Sequence, residues 1–288
     1  MKANIPVYDI CSLTNNREDD VLINRFAAYL AAHKNLFIPH KHSFYHVVYF
    51  TKGGGSQTID FEYVAVKPHQ IYFMAPGQVH NWNFEGEVDG YIINFSAGFF
   101  QSFLLKAGYL EDLPYFSGIV ADSVIDIPNV MQAVVGSLFE QLVEEYEGHK
   151  PLKGDMMRAM LLNMFIAIAR LTTAQQNAPT YNYTLLRNFQ KLIEKNYTSL
   201  KLPKEYAELL FITPNHLNAL CNAMLGISAG EVIRNRIALE AKRLLINREL
   251  SVAEIAGQLN FADNSYFTKF FKKQTGVTPE EFRKSNQK

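Results

Sequence analysis

The sequence predicts an α+β protein of two domains: an N-terminal β-barrel with flanking helices, then an all-α domain with two helix-turn-helix units joined by a long helix. Three observations predict it. Residues 35 to 95 hold short aromatic and β-branched runs separated by turn residues. From Pro128 onward the apolar period becomes three to four, as in helices. Beyond residue 200, two short helix pairs with tight turns lie on either side of a longer helical stretch. A chain of 288 residues is long enough for two such cores.

In the N-terminal part, Phe44 to Phe50 is the most strand-like run, and Gly53, Gly54 and Gly55 force the turn after it. Gln57 to Phe61, Tyr63 to Val66, Ile71 to Met74 and Tyr91 to Phe95 follow, with turns at Lys67-Pro68-His69 and Ala75-Pro76-Gly77. This spacing suggests a small sandwich or barrel. Pro128 to Tyr146 then places Val130, Val134, Leu138, Leu142 and Tyr146 on one helical face. Gly154 to Leu171 repeats the pattern with Met157, Leu161, Met164, Phe165, Ile168 and Leu171. Two such helices can cover the flank of the barrel or pair with a second copy of the chain. Polar Thr172 to Tyr183 reads as a linker. The expected domains are therefore 1–172 for sensing and dimerisation, 173–183 for the linker and 184–288 for the helical module.

Composition narrows the function classes. Apolar residues make up 48% and charged residues 19%, as in a folded globular protein. The richest apolar stretch, Met156 to Leu171, is interrupted by Arg158 and Arg170 and reads as a buried helix, so no membrane partner is expected. The N-terminus lacks a basic segment leading into an apolar block, which predicts no secretory signal. Two cysteines, Cys11 and Cys221, suggest no disulfide framework and fit a reducing cytoplasm. The zero net charge hides an asymmetry: residues 183–288 carry +6 and residues 1–182 carry −6. A polyanion partner would meet the C-terminal half.

Helix starts in that half are legible. Ser228/Glu231, Ser251/Glu254 and Thr278/Glu281 fit the capping box, and Thr213-Pro214 is an N-cap followed by proline. Seven helices result. Leu202–Leu210 and Pro214–Leu225 form one helix-turn-helix; Val252–Leu259 and Asn264–Lys273 form the other; Ala229–Ile246 lies between. In the second unit Phe267, Phe270 and Phe271 form an apolar stripe, while Asn264, Ser265, Thr268, Lys269 and Lys272 share a polar, basic face, with Lys273 beside it. In the first, Leu217, Leu220, Cys221 and Met224 oppose Asn215, His216, Asn218, Ala219, Asn222 and Ala223. Such faces can bond base edges and phosphates.

The stretch Ile237 to Arg283 closely resembles the signature of AraC/XylS-type transcription regulators. The matching elements include Ala241 to Leu245, Val252 to Ala256, Phe261-Ala262-Asp263, Ser265 to Phe267, Phe270 to Lys272 and Gly276 to Pro279, ending in Phe282-Arg283. The resemblance extends less sharply upstream and covers roughly residues 185–284. It implies a sequence-specific, ligand-responsive activator whose two second helices enter successive major-groove segments, one helical turn or roughly 34 Å apart. Asn215, His216, Asn218, Ala219 and Asn222 would serve the first reader; Asn264, Ser265, Thr268 and Lys269 the second. Lys272, Lys273 and the capped helix starts would hold phosphates. It also implies double-stranded promoter DNA, RNA polymerase, an unidentified small-molecule effector and a second copy of the chain as partners. One departure stands out: the first reading helix usually carries Arg or Lys in this family, and its exposed face here has neither.

His40, His42 and His46, followed by Pro76-Gly77-Gln78-Val79-His80, resemble the two motifs of a cupin barrel, which many regulators of this type use as a sensor. His46 stands where cupin enzymes place a glutamate. Four imidazoles are the right donors for a borderline divalent metal. Histidines at alternate strand positions are more often structural, so no metal or cofactor is expected. If a metal binds, His40, His42, His46 and His80 are the candidates; together with Trp82 they are the expected ligand-pocket residues. The competing reading, a metal-dependent cupin enzyme with a helical appendage, leaves residues 237–283 unexplained and offers no identifiable catalytic acid or base. The chain is therefore expected not to be an enzyme.

Overall fold

A computed structural model describes residues 6–13, 20–100, 103–104, 108–116, 120–174, 181–246 and 249–285. They fall into two compact units, one within Pro6–Gln176 and one within Asn177–Lys288. Among the described residues no helix is long and apolar enough to cross a membrane.

The first unit runs β1 (Val7–Tyr8), β2 (Val21–Arg25), α1 (Phe26–Ala32), β3 (His40–His42), β4 (Tyr45–Lys52), β5 (Gly55–Ile59), β6 (Glu62–Ala65), β7 (Gln70–Met74), β8 (Val79–Phe84) and β9 (Asp89–Phe95). Then come α2 (Val120–Ser123), β10 (Val124–Asp126), α3 (Asn129–Glu147) and α4 (Lys153–Ala174). The strands form two five-stranded sheets, ordered β1-β3-β8-β5-β6 and β10-β7-β4-β9-β2. All pairings are antiparallel except β1 with β3.

The second sheet is buried on both faces, which explains why β4 shows no polar alternation. Val48 and Phe50 pack with Tyr72, Trp82, Ile59 and Ile92 in a core shared by both sheets. Their neighbours Val47 and Tyr49 pack instead with Phe73, Ile93, Phe139 and Phe165, against α3 and α4. Where β4 shifts register between Phe50 and Lys52, its partner is Gly90, at φ +151°. A Cβ there would lie 1.9 Å from the Tyr49 carbonyl oxygen, so only glycine permits this pairing.

Two sequence expectations are corrected here. Val130 and Val134 are not on the buried stripe of α3: they are 85% and 49% exposed, and Val135, Phe139, Leu142 and Val143 are buried instead. A strict four-residue spacing drifts around a helix of 3.6 residues per turn, and the packed face follows the i, i+4, i+7, i+8 row. The expected linker at 173–183 is helical at both ends, because α4 continues through Ala174 and the next helix begins at Tyr181. Residues 175–180 lie outside the described residues.

Among its described residues the second unit consists of helices joined by short turns: α5 (Tyr181–Asn196), α6 (Pro203–Leu209), α7 (Pro214–Leu225), α8 (Ala229–Ile246), α9 (Val252–Gln258), α10 (Asn264–Thr275) and α11 (Pro279–Ser285). Helix α8 serves two cores. Its Ala229, Ile233 and Ile237 pack with Leu186, Phe189, Tyr206, Leu217 and Leu220. Its Ala241 and Leu245 pack with Ile255, Leu259, Phe267 and Phe271. The four-residue spacing of these five side chains drifts by about 40° at each step, so the apolar stripe winds around α8 from one core to the other. Arg236 ties α8 to α5: Nε donates to both Glu194 oxygens at 2.8 Å, and Nη1 donates to Glu240 at 3.0 Å.

Candidate nucleic-acid interface and histidine cluster

In the helical unit the caps fix where each second helix starts. Thr213 Oγ1 accepts from the His216 amide at 3.1 Å to start α7, and Asp263 Oδ1 accepts from the Tyr266 amide at 2.7 Å to start α10. Full capping boxes close at Ser251/Glu254 and Thr278/Glu281. At Ser228 the hydroxyl accepts from the Glu231 amide, while the Glu231 carboxylate accepts from Arg234. Gly226 and Gly276, at φ +71° and +84°, end α7 and α10 in the left-handed region.

These boundaries set the faces. Helix α7 buries Leu217, Leu220 and Cys221, while Asn215, His216, Asn218, Ala219 and Asn222 are exposed. Met224, expected on the apolar face, is 39% exposed, in the last turn of α7. Helix α10 buries Phe267 and Phe271 and exposes Asn264, Ser265, Lys269, Lys272 and Lys273, with Thr268 half-buried.

Asn218 has a structural task that sequence spacing does not show. Its Oδ1 accepts from the Ala229 amide at 2.9 Å and so satisfies a free N–H at the start of α8. That bond uses one lone pair of the Asn218 carbonyl and ties the side chain to the start of α8. Lys201 is another residue missed from sequence: Nζ donates to the carbonyls of Leu259, at 2.9 Å, and Asn260. Both contacts join segments distant in sequence, and no local pattern announces them.

In the first unit the structure brings together all five expected pocket residues. β3 and β8 pair with His40 opposite His80, and the two-residue period of β3 puts His42 on the same face as His40. Ring centroids lie 4.2 Å apart for His40 and His80, 4.8 Å for His40 and His42, and 4.9 Å for His42 and His80. His46 stacks on His42 at 5.0 Å, and Trp82 meets His80 edge-on at 5.3 Å.

The hydrogen bonds separate His46 from the other three. A buried chain runs Trp82 Nε1–H to Tyr72 Oη (3.1 Å), Tyr72 O–H to His46 Nε2 (3.0 Å) and His46 Nδ1–H to Asn94 Oδ1 (2.7 Å). Both His46 nitrogens are engaged. His40 instead bonds the Ile38 carbonyl through Nδ1 at 2.8 Å, while its Nε2 is buried without a protein partner. Burial pushes His40 down to about 4 and His46 down to about 3, and holds His42 and His80 well below the usual imidazole value, so all four rings are neutral near pH 7.

Comparison with known proteins adds to this geometry. Residues 24–179 match the model of the AraC-like ligand binding domain, and residues 206–285 match a helix-turn-helix domain model. The uncharacterized HTH-type transcriptional regulator YfiF of Bacillus subtilis is 26% identical over 85% of this chain and 78% of its own. The HTH-type transcriptional activator RhaR of Shigella flexneri is 21% identical over 88% of this chain and 89% of its own. Among solved structures, the C-terminal domain of AraT, a response regulator from Geobacillus stearothermophilus, is 28% identical, with a TM-score of 0.34. That match covers 37% of this chain and 88% of that one. With the ligand-binding model matching more than half of its length and the helix-turn-helix model most of the remainder, the chain belongs to the AraC family of ligand-responsive, DNA-binding transcription regulators.

Proposed function

We propose that this regulator is an activator that reads two successive major-groove segments of promoter DNA, one with α7 and one with α10. The observation that carries the reading is the paired exposure of polar faces on two capped helices whose apolar faces are packed on opposite ends of α8. Asn215, His216, Ala219 and Asn222 face the first set of base edges, joined by the free amide group of Asn218. Asn264, Ser265, Thr268 and Lys269 face the second, and Lys272 and Lys273 hold phosphates. The charge of α10, against none on the outer face of α7, makes α10 the stronger electrostatic anchor.

The first unit, within residues 1–172, senses a small-molecule effector at the site lined by His40, His42, His46, His80 and Trp82, and residues 173–183 join it to the DNA-binding part at 184–288. An effector acts by binding one of two pre-existing arrangements more tightly. The working form is a cytoplasmic homodimer that contacts RNA polymerase. Exposed Val130 and Val134 on α3 support pairing of two copies through that helix.

Selection of binding sites from random duplex DNA by the full-length protein tests the reading. Enrichment of a site spanning two successive major-groove segments, with affinity falling steeply as salt rises, is the expected outcome. A folded protein that enriches no sequence, with and without candidate effectors, overturns it.

A further inference from the structure

We propose that His40, His42 and His80 form a binding site for one divalent transition-metal ion of the zinc, cobalt or copper class. The ligand-bearing atoms of the three rings all lie within 4.8 Å of one another, and all three residues are buried. Their nitrogens are under-used. His40 Nε2, His42 Nδ1 and His80 Nδ1 have no protein partner, and the one polar contact between His42 and His80 sets their Nε2 atoms 2.8 Å apart. Two neutral rings in that contact share a single hydrogen, and buried polar atoms left without partners are costly. The neighbouring His46, by contrast, has both nitrogens satisfied, by Asn94 and Tyr72.

The other nitrogen of His40 points the same way. His40 Nδ1–H donates to the Ile38 carbonyl, which fixes the tautomer and leaves the Nε2 lone pair aimed into the cluster. Metal-ligating histidines characteristically use their other nitrogen in this manner. Metal–nitrogen bonds of roughly 2.0–2.1 Å place tetrahedral ligands about 3.3 Å apart. The 2.8 Å between His42 and His80 must therefore open by about half an ångström, and ligand atoms up to 4.8 Å apart must close by about 1.5 Å, movements made by rotating the rings. The donor set contains imidazole and no carboxylate, so it suits borderline metals and not magnesium or calcium. Three protein ligands leave a position open for a further donor. The ion would occupy the site proposed above for the effector, which would then bind at the open position; the inference rests on that placement and not on how α7 and α10 read DNA.

The test uses the full-length protein, stripped with a chelator and titrated with cobalt(II) while visible absorption is recorded. The expected result is saturation at one cobalt per chain, displacement by zinc, and no displacement by magnesium or calcium. His40→Gln, His42→Gln and His80→Gln should each weaken cobalt binding at least tenfold, and His149→Gln, on an exposed histidine, should leave it unchanged. X-ray absorption of the wild-type zinc form decides the matter even if a buried variant fails to fold, because it counts imidazole ligands directly. Three imidazoles support the site. An oxygen-dominated shell, no saturable binding, or full binding by the three folded glutamine variants would overturn it.

Discussion

Lys201 holds its ammonium 3.9 Å from the ring centroid of Phe261 while donating to the Leu259 and Asn260 carbonyls. Lys201 precedes α6 in the first helix-turn-helix; Leu259, Asn260 and Phe261 form the turn of the second. One side chain thus fastens the turn of one reader to the entry of the other. Tyr197, Phe261 and Phe270 add to the joint, each packing against both helical cores. The proposed reading of one DNA face by two helices requires a fixed separation, which this contact would help to set.

Lys201→Met keeps the aliphatic stem and removes the charge. Charge-assisted bonds and a cation over an aromatic ring together suggest a loss of about 1–2 kcal/mol in the stability of this unit. Affinity for a duplex carrying both segments should fall roughly tenfold, about 1.4 kcal/mol, because the two helices no longer hold their spacing. Affinity for a duplex carrying only the α10 segment should not change. Paired titrations on the two duplexes check this, and an equal loss on both would assign Lys201 to direct DNA contact.

Lys269→Ala and Asn218→Ala should separate affinity from stability. Lys269 is exposed on α10 and its removal should weaken binding while reducing the salt dependence by about one counterion, with the melting temperature unchanged. Asn218→Ala removes the acceptor for the Ala229 amide and should cost about 1 kcal/mol of stability, with the smaller effect on affinity. Thermal melts beside salt-dependent titrations measure both quantities. A larger affinity loss for Asn218→Ala would reverse the assignment of α10 as the main anchor.

Much of the helical unit was legible because its signals are local. Thr213-Pro214 and the Ser251/Glu254 and Thr278/Glu281 pairs mark helix starts within four residues, and the structure places a helix after each. The barrel was less legible. The pair β2 and α1, from Val21 to Ala32, was not foreseen, since a five-residue strand leading directly into a seven-residue helix shows neither period for long. The roles within the histidine set could not be read either. Spacing treats His40, His42, His46 and His80 alike, and only the long-range partners Asn94 and Tyr72 distinguish His46 from the rest. Asn218 was hidden for the same reason, its partner Ala229 lying in another helix.

Asn94→Ala should destabilise the barrel specifically. Asn94 and His46 are both fully buried, and the mutation leaves the His46 Nδ1–H without its acceptor in a dry core. An orphaned buried donor costs about 1–3 kcal/mol, to which the lost packing of the side chain adds. Denaturation followed by the fluorescence of Trp82, the single tryptophan of the chain, reports this unit alone. An unchanged midpoint would show that His46 finds another acceptor.

Phe211 and Asn260 occupy equivalent places in the two turns, and only one is suited to its place. Each follows the leucine that ends the first helix, and each turn closes with the same backbone bond: Ile212 N–H to the Ala207 carbonyl at 3.0 Å, Phe261 N–H to the Ala256 carbonyl at 2.9 Å. Both residues are left-handed, at φ +56° and +53°. Asparagine tolerates that region, whereas an aromatic side chain there is strained, by about 1–2 kcal/mol. Phe211 gains little burial in return, being 96% exposed. Phe211→Asn should therefore raise the stability of the helical unit by about 0.5–1 kcal/mol, since asparagine relieves only part of the strain. Affinity for a short naked duplex should not change, because Phe211 lies in the turn before α7 and outside the face proposed to meet base edges. A variant that melts lower would show that the ring is buried in the working assembly, and the stability gain would then appear only in the isolated chain at high dilution.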